Sequence, residues 1–170
     1  GGAMFTTPAV LPGRYRRRSD ARFGRWRSRG RGLPEMFGEL PVATLAEEVR
    51  GDGAPADGAL GGEVRALITI AGNPLVSAPG ASRLTEALAA LELRVAVDPY
   101  VNATTRLADV ILPPPSPLAR AHYDVALYQL AVRNVARYSP PTFELAPGRP
   151  AEWELLLTLA KGLMGMAAAP

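Results

Sequence analysis

The sequence has 170 residues, of which 48% are hydrophobic, and this length suits about one domain with its own buried core. It contains no cysteine, which excludes disulfides, thiolate nucleophiles, cysteine zinc sites and iron–sulfur clusters bound by its own thiolates. No apolar run approaches the roughly 20 residues of a transmembrane helix, and no secretory or transit signal is evident, so a cytoplasmic location is expected.

The net charge of +3 is unevenly distributed along the chain. The first 32 residues hold nine arginines and one acid, Asp20, whereas the other 138 hold ten basic and fifteen acidic residues. Residues 1–38 show neither a helical nor a strand period. We therefore predict an irregular arginine-rich segment over 1–38, followed by one folded domain over 39–170.

The arginine-rich segment allows two interpretations. Its arginines alternate with Tyr15, Phe23 and Trp26, which is the composition of an arm that stacks on RNA bases and neutralises phosphates. The other interpretation is a connecting segment of a larger enzyme, which packs its arginines against acidic neighbours or against anionic cofactor phosphates.

The first predicted elements are a short helix and a linker. Thr44 and Glu47 have the spacing of a capping box, in which each side chain accepts a hydrogen bond from the other residue's backbone. A helix to about Arg50 is therefore expected, and the glycine-rich stretch 51–62 is typical of a flexible linker.

The next stretch predicts a strand, a helix and a second strand. The apolar run over 66–71 suits a strand that is buried on both faces of a parallel sheet. Leucines at i, i+4 and i+7 from Leu84 indicate an amphipathic helix over 81–92, and a second strand is predicted at 94–98. This order is a right-handed βαβ unit.

A third strand is predicted beyond a polar loop. The loop covers 99–106 and should contain one helical turn, and the strand covers 108–112. Pro113 and the two prolines after it must end this strand, because proline has no N–H to donate to a sheet.

The remainder of the chain is less uniform. Residues 116–147 leave two alternatives open, a helix over 123–138 or a pair of strands at 125–130 and 132–135. The final element is an amphipathic helix that begins near Pro150, with acidic residues in its first turn.

These elements predict an α/β fold, namely a three-layer Rossmann-like domain with a mainly parallel sheet. Ligands of such sheets bind beyond the carboxyl ends of the strands, where the exit loops converge. Three loops of this chain are of that kind, at 72–80, 98–106 and 113–116.

The polar residues of these loops suit a guanine nucleotide. Gly72 lets a backbone approach a ligand closely, Asn73 offers a donor and an acceptor, and Pro74 stiffens the exit. The Asp98 carboxylate can accept two parallel hydrogen bonds from the N1–H and N2–H₂ edge of guanine, which adenine cannot reproduce. Three further residues can donate to phosphate oxygens: Thr104, Thr105 and Arg106.

Plainer interpretations and several exclusions apply to the same residues. Gly-Asn-Pro after a strand is typical of an ordinary turn, and Asp98 and Asp109 can simply start a turn or cap a helix. Neither a G-x-G-x-x-G fingerprint nor a P-loop is present, and no serine sits in a nucleophile elbow. The single histidine, His122, has no partner at metal-binding spacing.

The ordered set of motifs resembles a known family. Residues 72–75, 97–106 and 108–113 occur in the same order in molybdopterin oxidoreductases of the formate dehydrogenase, nitrate reductase and dimethyl sulfoxide reductase type. The stretches 32–41 and 131–141 look like the formate dehydrogenase-like branch. Each motif alone is weakly specific, whereas the ordered set covers nearly the whole chain.

The resemblance implies a cofactor and a role. Enzymes of this family carry molybdenum or tungsten held by two molybdopterin guanine dinucleotides, usually with a 4Fe–4S cluster in an N-terminal domain. This chain is similar to the central domain that holds the guanosine diphosphate part of one pterin, as a fragment of a larger oxidoreductase. The metal ligand and the cluster cysteines are not in it, so the fragment alone is predicted to be inactive. The implied partners are the remaining domains of the parent chain and a redox partner subunit, with no membrane and no nucleic acid.

The resemblance also implies the site residues. It assigns no catalytic residue and no metal ligand to this chain. It assigns cofactor binding to ten residues: Gly72, Asn73, Pro74, Asp98, Tyr100, Asn102, Thr104, Thr105, Arg106 and Asp109. Many relatives have an acidic residue where this chain has Ala103, and a polar group where it has Leu107, so one or two polar contacts are expected to be missing. The alternative functions are a non-catalytic relative that serves as an electron-transfer or structural subunit, and an RNA-binding protein that uses the arginine-rich segment.

Overall fold

The computed structural model describes residues 23–36, 38–51, 64–124, 133 and 136–165. The chain divides into two compact units, Ala21–Pro113 and a second one whose described residues begin at Pro114. No helix in these described ranges has the length and apolar character needed to cross a bilayer.

The first unit is an α/β unit with a parallel sheet. Its three strands have the order β1-β2-β3, and both pairs are parallel, with Ile68 opposite Val95 and Val95 opposite Val110. The predicted α/β class and the mainly parallel sheet are therefore confirmed. Its helices and strands are, in chain order, α1 (Leu45–Arg50), β1 (Ala66–Ile70), α2 (Pro74–Ser77), α3 (Ala81–Ala89), β2 (Leu93–Val97) and β3 (Val110–Ile111).

The core of the first unit forms where α3 packs against α1 and β1. Leu84 is fully buried and Leu88 is 2% exposed, and both join Val49 of α1 in one apolar cluster. Leu67 of β1 packs against the same cluster. The leucine spacing that predicts α3 thus also identifies the face that the helix buries.

Strand β1 differs from its predicted environment. It lies at one edge of the described sheet and pairs only with β2, and Ile70 at its end is 55% exposed. The prediction of a strand buried on both faces is therefore wrong for these residues. A continuous apolar run predicts that a strand packs between apolar layers, but it does not predict where the strand lies in the order of the sheet.

The capping box predicted at the start of α1 does not form. A 3₁₀ turn, Val42–Thr44, precedes α1, so Thr44 already has helical backbone angles. Its hydroxyl donates to the Pro41 carbonyl at 2.8 Å and does not cap the helix. Glu47 instead accepts from the Arg31 guanidinium at 3.0 Å.

The second unit contains two short strands and a longer helix. The strands are β4 (His122–Asp124) and β5 (Arg137–Ser139), which pair antiparallel, and the helix is α4 (Glu152–Leu163). The Glu154 carboxylate accepts the Ala151 N–H at the start of α4, at 2.7 Å. A helix across 123–138 is excluded because both ends of that span are strands, whereas the strand pair at 125–130 and 132–135 falls almost entirely outside the described residues.

Candidate functional site

The carboxyl ends of β1 and β2 lie side by side at one edge of the first unit. Ala71 continues the pairing beyond β1, because its N–H donates to the Val97 carbonyl at 2.9 Å. Both exit loops therefore start from the same edge, which is where parallel sheets bind their ligands.

The loop after β1 is shaped by its backbone and by a short helix. Asn73 immediately precedes α2, in which Pro74 takes the first position, where its missing N–H costs nothing. The left-handed backbone of this loop is at Ala71, with φ of 51°, and not at Gly72. A Cβ added to Gly72 would lie 3.7 Å from the Ile70 carbonyl oxygen, an ordinary contact, so the described fold itself does not require glycine there.

A direct hydrogen bond joins the loop after β1 to the loop after β2. The Thr104 hydroxyl donates to Asn73 Oδ1 at 2.7 Å and accepts the Leu75 N–H at 3.2 Å. Thr104 is only 5% exposed, so both bonds are largely shielded from water. The two loops consequently form one polar junction.

Asp98 occupies the first position after β2 and is 7% exposed. Its Oδ1 accepts the Tyr100 N–H at 2.8 Å, and its Oδ2 accepts from Asn102 Nδ2 at 3.0 Å. Each carboxylate oxygen has two lone pairs, so each can accept one further hydrogen bond.

The helical turn predicted in this loop is present at Thr105–Leu107 and is held by Asn102. Asn102 Oδ1 accepts the N–H groups of Thr104 and Thr105, each at 3.0 Å. The Thr105 hydroxyl accepts the Asn102 N–H at 2.7 Å and lies 3.1 Å from the Tyr100 carbonyl oxygen as a donor. Because Thr105 is 1% exposed and both of these bonds lie within the loop, its hydroxyl stabilises the loop and is not available to a ligand.

The structure thus brings most of the predicted site residues together. The junction formed by the two exit loops contains Gly72, Asn73, Pro74, Asp98, Tyr100, Asn102, Thr104, Thr105 and Arg106. Within the part of the chain that is described, neither the Arg106 guanidinium nor Asn73 Nδ2 has a hydrogen-bond partner. Together with the Tyr100 hydroxyl, these two groups are the side-chain donors of the junction that have no partner among the described residues.

Asp109 lies elsewhere, at the amino end of β3. Its carboxylate forms a bidentate pair with Arg94, whose Nη2 is 2.7 Å from Oδ1 and whose Nε is 3.1 Å from Oδ2. Arg94 Nη1 also donates to the carbonyls of Leu88 and Ala89 at the end of α3. The hydrogen bonds from the Arg94 side chain and backbone N–H lower the pKa of Asp109. Asp109 and Arg94 therefore clamp α3, β2 and β3 together, at the end of the sheet opposite the junction.

We expect Asp109→Asn to destabilise the first unit at neutral pH. A carboxyl whose pKa is lowered by folding adds stability above its unfolded pKa of about 3.9, and this contribution is lost as the pH falls through the lower folded value. The difference in unfolding free energy between wild type and variant should therefore shrink below about pH 4.

Glu92→Gln is the matched control for this clamp. The Glu92 pKa is also lowered by hydrogen bonds from Arg65, but the side chains of this pair are 67% and 61% exposed, against 21% and 40% for Arg94 and Asp109. Surface ion pairs contribute little, so the control should change stability less at neutral pH. Urea titrations from pH 3 to pH 7 measure both, and equal effects of the two variants at pH 7 would contradict the clamp.

Sequence reasoning missed Arg94 and α2. An arginine inside an apolar strand, followed by an aspartate at the start of the next strand, is the signal that identifies the clamp. The Asn-Pro pair, with asparagine before a first-turn proline, is the signal for α2.

The described part of the arginine-rich segment packs on α1. Arg29 pairs with Glu48, whose Oε1 also accepts the Arg29 N–H at 2.7 Å. Arg31 pairs with Glu47 at 3.0 Å and donates to the Ala43 carbonyl. Over 23–36 the backbone has no regular helix or strand and only isolated bridges, in agreement with the predicted irregular segment.

Comparisons with known proteins give one informative similarity. A 52-residue stretch, 31% of this chain, is 40% identical to the assimilatory nitrate reductase catalytic subunit of Bacillus subtilis (strain 168). The matched stretch spans 7% of the length of that protein. No family model matches the chain. At the level of the broad family, this similarity agrees with the resemblance of the loop motifs to molybdopterin oxidoreductases.

Proposed function

We propose that the first unit binds the guanosine diphosphate part of a molybdopterin guanine dinucleotide within a molybdenum or tungsten oxidoreductase. The observation that carries this proposal is the hydrogen bond between Asn73 and Thr104, which makes one polar site of two strand-exit loops. The similarity to a nitrate reductase catalytic subunit supports an oxidoreductase as the parent protein.

Asp98 is the residue proposed to recognise the base. Its carboxylate is nearly buried and is held at both oxygens by the loop, so its orientation is fixed before a ligand arrives. The second lone pairs of the two oxygens suit the adjacent N1–H and N2–H₂ donors of guanine. Adenine presents an acceptor at the first of these positions.

The diphosphate is proposed to contact the Arg106 guanidinium and Asn73 Nδ2, which have no partner among the described residues. Arg106 supplies a charged guanidinium, and Asn73 supplies its amide nitrogen at the amino end of α2. The hydroxyls of Thr104 and Thr105 already donate to acceptors within the loops. These two residues are therefore proposed to stabilise the site, and Asn73 and Arg106 to donate to the phosphates.

The cofactor when bound supplies the electron exchange with substrate, which is not chemistry that this chain contains. The chain has no cysteine, so a cluster or a cysteinyl metal ligand has to come from other parts of the parent enzyme. What its own residues do is orient the nucleotide end of the pterin. Within this proposal the parent is formate dehydrogenase-like and cytoplasmic, and its remaining domains and a redox subunit are the partners.

RNA binding is the less favoured candidate. Among the described arginines, Arg29 and Arg31 are paired with Glu48 and Glu47 of α1. A guanidinium that is already paired releases fewer phosphate counterions, so its contribution to polyanion binding is reduced.

Calorimetry with GDP and ADP tests the proposal, because the two ligands share the diphosphate and differ in the base. We expect the 170-residue chain to prefer GDP by about 10-fold, equivalent to about 1.4 kcal/mol. Asp98→Ala should abolish the preference, because the two acceptors for the guanine edge are lost. Val101→Ala, in the same loop and 69% exposed in the wild type, is the control and should keep it. Equal affinity of the wild type for both nucleotides would contradict the proposal.

A further inference from the structure

The Asn102 side chain joins the start of the loop after β2, at Asp98, to the helical turn at its end. Its Oδ1 holds the turn through Thr104 and Thr105, and its Nδ2 donates to Asp98 Oδ2 at 3.0 Å. An amide is required for this arrangement, since one end must accept and the other must donate.

We infer that Asn102 is a positioning residue, which sets the orientation of the Asp98 carboxylate and thereby the choice of base. Its Oδ1 accepts two N–H groups of the loop, its Nδ2 donates one of its two hydrogens to Asp98, and its backbone N–H and carbonyl are bonded to Thr105 and Arg106. This inference rests on the proposed function for its consequence in base choice. The orientation of Asp98 can be measured independently of any nucleotide.

The substitution Asn102→Asp tests the acceptor and the donor of the amide separately. The introduced carboxylate still accepts from Thr104 and Thr105, so the turn is retained. At neutral pH it replaces the donor to Asp98 by a second negative charge at hydrogen-bond distance. Two carboxylates that share a site do not both stay ionised as the pH falls, and the proton taken up restores a donor between them.

Few other charges bear on this pair. Tyr100 and Arg106 lie on the same loop, whereas β1 and α2 contribute no titratable side chain. On β2, Arg94 is engaged with Asp109 at the opposite end of the sheet. The pH response of the variant is therefore expected to come from the two facing carboxyls.

Amide hydrogen exchange of the nucleotide-free chain is the primary test. The Tyr100 N–H bonds to Asp98 Oδ1 and reports the carboxylate orientation. In Asn102→Asp we expect its protection factor to fall about 10-fold at pH 7 and to recover by about pH 5, while Thr104 and Thr105 stay protected at both. Ala103→Asp adds the same charge at the neighbouring exposed position and should show no such recovery.

GDP and ADP calorimetry at the same two pH values completes the test. The preference for GDP should be lost in Asn102→Asp at pH 7 and return at pH 5. An unchanged Tyr100 amide, or joint loss of the Thr104 and Thr105 amides, would overturn the inference. If the wild type binds neither nucleotide while the Tyr100 amide responds as expected, the proposed function fails and the positioning role stands.

Discussion

Leu84→Ala is expected to lower the unfolding free energy of the first unit by about 2 to 5 kcal/mol, the range measured for large-to-small substitutions in protein cores. Leu84 is fully buried and lies at the centre of the cluster that α3 forms with α1 and β1. Removing its isobutyl group loses the transfer free energy of the buried atoms and leaves a cavity that a short helix between two tethered strands closes only in part. Small units have a total stability of about 5 to 15 kcal/mol, so this single change removes a large share of it.

Urea unfolding followed by circular dichroism measures this loss. Val76→Ala is the control in the same unit, because Val76 is 72% exposed and its truncation leaves no cavity. A loss for Leu84→Ala no larger than that for the control would show that α3 does not organise the core.

Thr104→Val is expected to cost about 1 to 3 kcal/mol of stability, because it removes the partner of two polar groups at a site that excludes water. The valine keeps the shape of threonine but leaves Asn73 Oδ1 without its donor and the Leu75 N–H without its acceptor. The junction between the two exit loops is then lost, and nucleotide binding should weaken with it.

Thr104→Ser is the matched control, since it keeps the hydroxyl and removes only a methyl group. We expect it to retain the GDP affinity within about 3-fold, which corresponds to less than 1 kcal/mol. If Val and Ser at this position weaken GDP binding equally, the effect comes from packing and the hydroxyl junction is not what holds the loops.

The parts of the fold with a strong local period were predictable from sequence. The leucine repeat identified α3 and its buried face, and two apolar runs identified β1 and β2. The edge position of β1 was not predictable, because sheet order depends on pairings between distant residues. The capping box at Thr44 was wrong because a preceding 3₁₀ turn competes for the same hydroxyl.

The candidate site shows the same division. A general rule of parallel sheets was enough to predict that Asn73, Asp98 and Thr105 meet at one edge. The rule does not predict which of their polar atoms hydrogen-bond to one another, and those bonds decide which donors remain for a ligand. Asp109 was grouped with them by motif, yet it directly precedes β3, and the parallel direction of that strand places it at the other end of the sheet. There it pairs with Arg94, which is fifteen residues away in sequence.

The pairing of Arg29 and Arg31 with α1 affects how the purified protein should be handled. The sequence pI of about 9.7 suggests a strongly cationic surface, but these two guanidinium groups are neutralised within the fold. The pI therefore overstates how strongly the described surface should bind heparin or a cation-exchange column, and a buffer of moderate ionic strength is the appropriate starting point for chromatography.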